Sequence, residues 1–182
     1  MPTHGEGRDN PYFTAGKAIE GALGVKFNNE RINSADKTRR MLELIPKGGN
    51  FSDIPPDHEL YVKGMISHVY RRIHPDEPAK TIIAAGGGGT WGYHYPDPRP
   101  LTNRERARLQ SFPDDFEFKG SITEVRRQIG NAVPPEGVRL LARRLLPLFM
   151  EEYTKVDLTD ELRKLKAMSV KKRLEYVTAN MN

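Results

Sequence analysis

The glycine run from Gly86 to Gly89 has the composition of a phosphate-binding loop, because consecutive glycines let the backbone approach a ligand closely. A P-loop ends in Gly-Lys-Ser/Thr, whereas here Thr90 follows the run directly. A dinucleotide fingerprint requires a helix behind the glycines, and the next residues do not open one. Two interpretations remain, a plain glycine hinge or a loop that enters a nucleic-acid groove or stacks on bases. The aromatic residues that favour the second are Trp91, Tyr93, His94 and Tyr95.

Other side chains that could do chemistry form no recognisable site. The chain has no cysteine, which excludes a disulfide framework, a thiolate zinc cluster and a cysteine nucleophile. Its five histidines lack the spacing of a metal site, so no metal is predicted. The adjacent carboxylates Asp114 and Asp115 point in different directions and make a poor acid–base pair. Arginine pairs such as Arg71-Arg72 suit phosphates, although exposed faces explain such pairs more often.

The composition describes a small, polar chain with a modest core. Of 182 residues, 37% are hydrophobic and 29% are charged, so a partner is expected to complete part of the apolar surface. The net charge of +5 permits nucleic-acid binding without demonstrating it. No run approaches the roughly 20 apolar residues of a membrane span, and the N-terminus lacks a signal-peptide pattern. A cytoplasmic location is therefore expected.

The elements that must position these residues change along the chain. The first 60 residues predict short helical pieces joined by loops, and residues 66–101 predict strands and exposed loops, including a β-prone run at Thr81–Ala85. Capping boxes at Thr102–Glu105 and Ser121–Glu124 predict two helices, and Pro134-Pro135 can open a third. From residue 158 the pattern is that of a basic amphipathic helix. The fold class is therefore mixed α/β.

Two segments in this helical part resemble motifs of a known family. Arg99–Pro113, with the sequence RPLTNRERARLQSFP, resembles the ninth motif of the DNA cytosine-5 methyltransferases. Arg127–Pro135, with the sequence RQIGNAVPP, resembles their tenth motif. The order and the short separation of the two segments also match the family. The segment Pro78–Ile83 is similar to the point where a threonine of the family contacts the DNA backbone.

The resemblance implies a division of the chain into three parts. Residues 1–98 would form a small β-containing target recognition domain, which reads bases from the major groove. Residues 99–153 would be a helical segment that packs on the catalytic domain. These C-terminal helices would complete a partner's Rossmann-like, S-adenosylmethionine-dependent methyltransferase domain. Residues 154–182 would be a basic amphipathic extension.

The resemblance also shows what this sequence lacks. The family's chemistry uses a Cys in a Pro-Cys element, a Glu in a Glu-Asn-Val element and a glycine-rich first motif that holds S-adenosylmethionine; none occurs here. No catalytic residue is therefore expected in this chain, and a partner carrying the first eight motifs would supply nucleophile, acid and most of the cofactor pocket. The expected protein is the small subunit of a split restriction–modification methyltransferase, associated with the nucleoid of a prokaryote. A truncated piece of one longer enzyme is the alternative, and Met1 favours the natural start.

The site residues implied by the resemblance fall into three groups. The cofactor wall would be Asn131, Ala132 and Val133. The contacts to double-stranded DNA would be Arg71, Arg72, Lys80 and Thr81 on phosphates, with Gly86, Gly87, Gly88, Gly89, Thr90, Trp91, Tyr93 and His94 in the major groove. Arg99, Thr102, Arg104 and Glu105 would organise the recognition domain through capping and ion pairs.

Two other classes of function remain open on the sequence. The chain could be a non-catalytic, sequence-specific DNA-binding or regulatory module. It could also be a structural interaction protein whose basic tail binds RNA or acidic proteins. Neither explains why the segment resembling the tenth motif is intact.

Overall fold

Short helices and one very small sheet make up the fold. In a computed structural model, the structure describes residues 5, 7, 10–64, 69–84, 91–149, 163, 166–169 and 172. The α-helices are α1 (Ala15–Ile19), α2 (Asp36–Leu44), α3 (Asn103–Leu109), α4 (Ile122–Asn131) and α5 (Pro135–Phe149). Two 3-10 turns cover Ala22–Gly24 and Phe51–Asp53. Strands β1 (Arg71–Arg72) and β2 (Trp91–Tyr93) pair in parallel, so the mixed α/β class is confirmed.

The predicted starts of the C-terminal helices are confirmed. Thr102 and Glu105 form a complete capping box at the start of α3, each side chain accepting from the other's backbone N–H. The Ser121 hydroxyl accepts from the Glu124 N–H at 3.3 Å at the start of α4, while the Glu124 carboxylate accepts from Arg127. Helix α5 opens at Pro135, whose missing N–H would have had no partner in the first turn.

The strand predicted at Thr81–Ala85 is wrong for residues 81–84, and Ala85 lies outside the described residues. Ile82 is buried in a cluster with Val125 and Ile129 of α4, so this segment packs on a helix instead of pairing with a strand. The two backbones meet directly, because a Cβ built on Gly130 would lie 2.2 Å from the Ala84 nitrogen. Only glycine fits at this contact.

Three hydrophobic clusters form the core of residues 1–138, one of two compact units; residues 139–182 form the other. One cluster joins Leu101 to Ala15 and Ile19 of α1, and another joins Ala107 of α3 to Ile82. These side-chain contacts therefore join residues on both sides of position 98, the predicted end of the target recognition domain. The three-part division stays a prediction. None of the helices within the described residues is long and apolar enough to cross a membrane.

Candidate functional site

Helix α3 places an arginine at the centre of the fold. The Arg104 side chain is fully buried, and its guanidinium donates to three carbonyls: Nε to Phe27 at 3.0 Å, Nη1 to Pro113 at 3.0 Å and Nη2 to Phe116 at 2.7 Å. Nη2 also lies 3.3 Å from the Asn28 side-chain oxygen. A planar, five-donor group suits such an arrangement because it reaches several acceptors at fixed angles. Arg104 thereby joins segments far apart in the sequence through hydrogen bonds. Its role in organising a recognition domain stays a prediction.

The carboxylate of Glu105 is the matching buried anion. It is 1% exposed and accepts two hydrogen bonds from the Arg99 guanidinium, at 2.8 and 2.7 Å, and one from the Thr102 N–H at 2.8 Å. Burial raises the pKa of Glu105, but the hydrogen bonds from Arg99 and Thr102 outweigh it and hold the pKa below its usual range. Arg99, Thr102 and Glu105 are thus brought together, and the carboxylate is held ionised for structure.

Asn28 is a structural residue that sequence reasoning missed. It lies in the left-handed region at φ 60°, where asparagine is tolerated better than most side chains. Its side chain pairs with the backbone of Phe118 in both directions, donating to the carbonyl at 3.0 Å and accepting from the N–H at 3.0 Å. These partners are 90 residues apart in the chain, so no local pattern could have indicated them.

Arg72 does not lie where a phosphate contact requires it. The residue is 8% exposed, and its guanidinium donates to the carbonyls of Leu42 at 2.8 Å, Ile45 at 2.5 Å, His94 at 3.2 Å and Tyr95. Burial lowers the pKa of this side chain. The assignment of Arg72 to DNA is therefore corrected: its donors are engaged inside the protein and tie α2 to the segment after β2.

Of the aromatic residues after the glycine run, Tyr93 is buried and His94 and Tyr95 are half-buried. Tyr93 is 4% exposed and packs against Tyr70, so its predicted entry into a groove is corrected to a core role. The His94 ring stacks on Tyr95, with Nε2 3.5 Å from a Glu105 oxygen. Burial, followed by the neighbouring Arg99 charge, lowers the pKa of His94 despite the Glu105 and Asp97 charges.

The other predicted phosphate contacts remain available. Arg71 and Lys80 line one small cavity of about 20 Å³, together with His74 and other residues of β1 and the segment 77–80. Lys80 and Thr81 are exposed and Arg71 is half-buried. The structure thus brings Arg71 and Lys80 together, as a backbone-binding patch requires.

The predicted reading loop falls largely outside the described residues, which omit Gly86, Gly87, Gly88, Gly89, Thr90 and the side chain of Trp91. The structure describes the residues that follow the loop, beginning with the backbone of β2. Gly92 adopts φ 89°, and a Cβ there would lie 2.9 Å from a terminal nitrogen of the buried Arg106. The loop exit is therefore fixed to α3 through a position that favours glycine.

The predicted cofactor wall lies at the end of α4. Asn131 is the last helical residue and is exposed, Ala132 is half-buried and Val133 is 69% exposed. Helix α5 follows at once. Six of its large apolar side chains are also exposed: Val138 (47%), Leu140 (49%), Leu141 (60%), Leu145 (42%), Leu146 (56%) and Phe149 (82%). Val138, Leu141, Leu145 and Phe149 have the spacing of one helical stripe.

Comparison with known proteins gives a consistent family. Residues 9–146 match the family described as C-5 cytosine-specific DNA methylase. The chain is 65% identical over 179 residues to the type II methyltransferase M.NgoFVII of Neisseria gonorrhoeae, covering 97% of this chain and 48% of the relative. It is 45% identical over 160 residues to the type II methyltransferase M.BbvI of Brevibacillus brevis, covering 86% of this chain and 42% of the relative. The chain thus spans about half the length of these curated relatives.

The match includes both segments that resemble family motifs, the capped α3 with its buried ion pair and the α4–α5 turn. Two of the relatives are more than 40% identical over most of this sequence. The chain belongs to the C-5 cytosine-specific DNA methylase family.

Proposed function

We propose that this chain is the DNA-recognition and cofactor-wall portion of a type II restriction–modification DNA cytosine-5 methyltransferase. It works with a catalytic polypeptide or domain that carries the first eight motifs. The catalytic part contributes the cysteine that attacks cytosine, which this sequence lacks. The chain alone is therefore inactive.

One observation carries the proposal: the segment that resembles the tenth motif continues into a helix with an exposed apolar face. Val133 and the stripe of Val138, Leu141, Leu145 and Phe149 are between 42% and 82% exposed. An apolar face of this extent marks an interaction surface. In the family the tenth motif folds back on the catalytic domain, so we assign the catalytic part as the occupant of this face.

The residues present fit S-adenosylmethionine as one wall of its pocket. The exposed amide of Asn131 and the exposed apolar side chain of Val133 suit a ligand that carries both polar and apolar groups. When bound, the cofactor supplies the methyl group. The wall itself holds and orients the cofactor, and the catalytic part completes the enclosure.

The recognition residues act on double-stranded DNA before the chemistry. Arg71, Lys80 and Thr81 contact backbone phosphates, which fixes register and orientation. The segment 86–91 enters the major groove and reads base edges. The target cytosine is flipped into the catalytic part, because its ring is unreachable within the stack.

Reconstitution tests whether methyl transfer requires both this chain and the catalytic polypeptide. The chain is co-expressed with the polypeptide from the same genome that carries Pro-Cys and Glu-Asn-Val elements, and methyl transfer to cytosine in DNA is measured for each part and for the pair. We expect activity only in the pair. A chain that binds a specific DNA sequence, with no transfer in the presence of that polypeptide, would indicate the non-catalytic DNA-binding or regulatory module instead.

The DNA contacts are tested by salt dependence. Lys80→Ala should weaken binding to all sequences about equally and reduce the salt slope by about 1. Lys37→Ala, on the exposed side of α2, removes the same charge and should leave the slope unchanged. Trp91→Ala should reduce specific binding more than non-specific binding. Equal losses on both kinds of DNA would remove Trp91 from the reading loop.

A further inference from the structure

The turn between α4 and α5 is held at both ends by two neighbouring residues of another segment. Gln110 and Ser111 directly follow α3 and are half-buried. Gln110 holds the end of α4, and Ser111 holds the start of α5. Neither residue was among the site residues expected from the sequence. Their contacts bracket the predicted cofactor wall, Asn131–Val133.

Gln110 meets carbonyls at the end of α4. Its side-chain amide nitrogen lies 3.1 Å from the Ile129 oxygen and 3.5 Å from the Ala132 oxygen. The last carbonyls of a helix lack partners within the helix. The Ile129 carbonyl accepts from the Ala132 N–H at 3.3 Å, and Gln110 adds a side-chain donor to the same helix end. An amide nitrogen carries two hydrogens and can serve two acceptors. Gln110 therefore spans Asn131, with one contact on each side of it.

Ser111 supplies a cap that α5 cannot provide itself. Pro134 precedes the first helical residue and has no side-chain acceptor, whereas most helices carry Ser, Thr, Asp or Asn there. The Ser111 hydroxyl accepts from the Glu136 N–H at 3.1 Å instead. Ser111 adopts φ 63°, an unfavourable conformation for a residue with a Cβ. Such outliers persist where the surrounding structure requires them.

The wall residues themselves are poorly anchored. Asn131 is exposed and Val133 is 69% exposed, so burial of their side chains does not fix the turn. The buried Ile129 and the contact of Gly130 with Ala84 fix the end of α4. Beyond that end, the side chains of Gln110 and Ser111 bond to the backbone of Ala132 and Glu136. Both residues follow α3, which carries the fully buried Arg104.

We propose that Gln110 is a positioning residue for S-adenosylmethionine, with Ser111 as its auxiliary: together they hold Asn131–Val133 at the place where the cofactor binds. This inference rests on the proposed function. Gln110 touches neither cofactor nor DNA and acts through the backbone of the turn. Its loss should weaken cofactor binding without weakening DNA binding.

The test compares Gln110→Ala with Asn103→Ala in the reconstituted pair. Asn103 is a matched control, because its side-chain amide donates to the Ile122 carbonyl at 2.9 Å, at the other end of the same α4. Calorimetry measures the Kd for S-adenosylmethionine, and kinetics measure its KM and kcat. For Gln110→Ala we expect Kd and KM to rise roughly tenfold, as for one lost hydrogen bond, with kcat at saturating cofactor and DNA affinity unchanged. Asn103→Ala should lower Tm without raising Kd.

Amide hydrogen exchange on the chain alone gives a second readout. Gln110→Ala should accelerate exchange at Ala132, and Ser111→Ala should do so at Glu136; Asn103→Ala should do neither. The inference would be overturned if Gln110→Ala bound the cofactor as tightly as wild type. It would also be overturned if Gln110→Ala and Asn103→Ala lost cofactor affinity equally. A wild-type pair that binds no S-adenosylmethionine would overturn the proposed function itself, so the two failures are distinguishable.

Discussion

Helices α3 and α5 reverse the usual relation between polarity and burial. Five of the seven residues of α3 are buried, and three of those five are charged: Arg104, Glu105 and Arg106. Helix α5 leaves Leu141 and Phe149 exposed, the latter at 82%. The difference teaches that side-chain polarity alone does not decide location. The charges of α3 find hydrogen-bond partners within the chain, whereas the apolar face of α5 is left exposed, and there we propose that the catalytic part packs.

The strongest test of this comparison is Arg104→Leu. The substitution removes the donors that serve the partly buried carbonyls of Phe27, Pro113 and Phe116. We expect the free energy of unfolding to fall by about 4 kcal/mol. Urea denaturation followed by circular dichroism measures it. Arg40→Ala, which removes an exposed ion pair with Glu59, should cost less than about 0.5 kcal/mol. Similar losses of unfolding free energy in Arg104→Leu and Arg40→Ala would show that the buried arginine contributes no more to stability than an exposed one.

The next largest effect is expected for Glu105→Gln. The shape is kept, but the charge that accepts two hydrogen bonds from Arg99 and one from Thr102 is lost. We expect a loss of about 2 to 3 kcal/mol in urea denaturation, because a neutral amide replaces the buried carboxylate that accepts both charge-assisted hydrogen bonds from Arg99. Glu43→Gln removes an exposed helical pair with Arg39 and should cost about 0.3 kcal/mol. If Glu105→Gln left the free energy of unfolding unchanged, the buried ion pair would contribute nothing to folding stability.

The same polar cluster predicts how stability depends on pH. The folded pKa of His94 is lowered, mainly by burial, so its contribution is present above the unfolded value near 6.5 and is lost as pH falls through the folded value. The folded pKa of Glu105 is also lowered, so its contribution is present above about 4.3 and is lost further into acid. Unfolding free energy measured from pH 8 to pH 2 should therefore fall on acidification. His94→Asn should flatten the part just below pH 6.5; an unchanged profile would contradict this assignment.

The smallest effect on folding is expected on α5. Leu141→Glu combined with Leu145→Glu should change the free energy of unfolding of the chain by less than about 0.5 kcal/mol, because both side chains are already exposed. The same change should weaken association with the catalytic part at least 100-fold in sedimentation or titration. Arg143→Ala combined with Arg144→Ala, on the same helix, should leave association intact. Unimpaired association of the leucine variant would place the partner elsewhere.

The sequence predicts the local features of this fold well. The capping box of Thr102 and Glu105 and the start of α5 at Pro135 depend on neighbours within a few residues. The strand predicted at Thr81–Ala85 is wrong for residues 81–84, because close contact with Gly130, 46 residues beyond Ala84, overrides local propensity. Family resemblance supplied the organising roles of Arg99 and Glu105.

The site residues were harder to predict for the same reason. Arg72 has the type and spacing of a phosphate ligand, and only the fold shows that four carbonyls surround it. Tyr93 is an aromatic residue of the type that stacks on bases, but it packs in a hydrophobic core cluster. Gln110 and Ser111 lie within the segment that resembles the ninth motif, yet their targets at Ile129 and Glu136 are 19 and 25 residues away. Each of these depends on contacts that a linear pattern does not contain.

The contact between Gly130 and Ala84 has a consequence for protein engineering. It joins main chain to main chain, so the joint does not depend on the chemical identity of the side chains that follow Ala84. On the proposed function, the segment between residues 84 and 92 reads DNA bases, so a replacement taken from a related enzyme should leave the Gly130–Ala84 contact in place without redesign of α4. Such an exchange is then expected to alter the DNA sequence that is recognised.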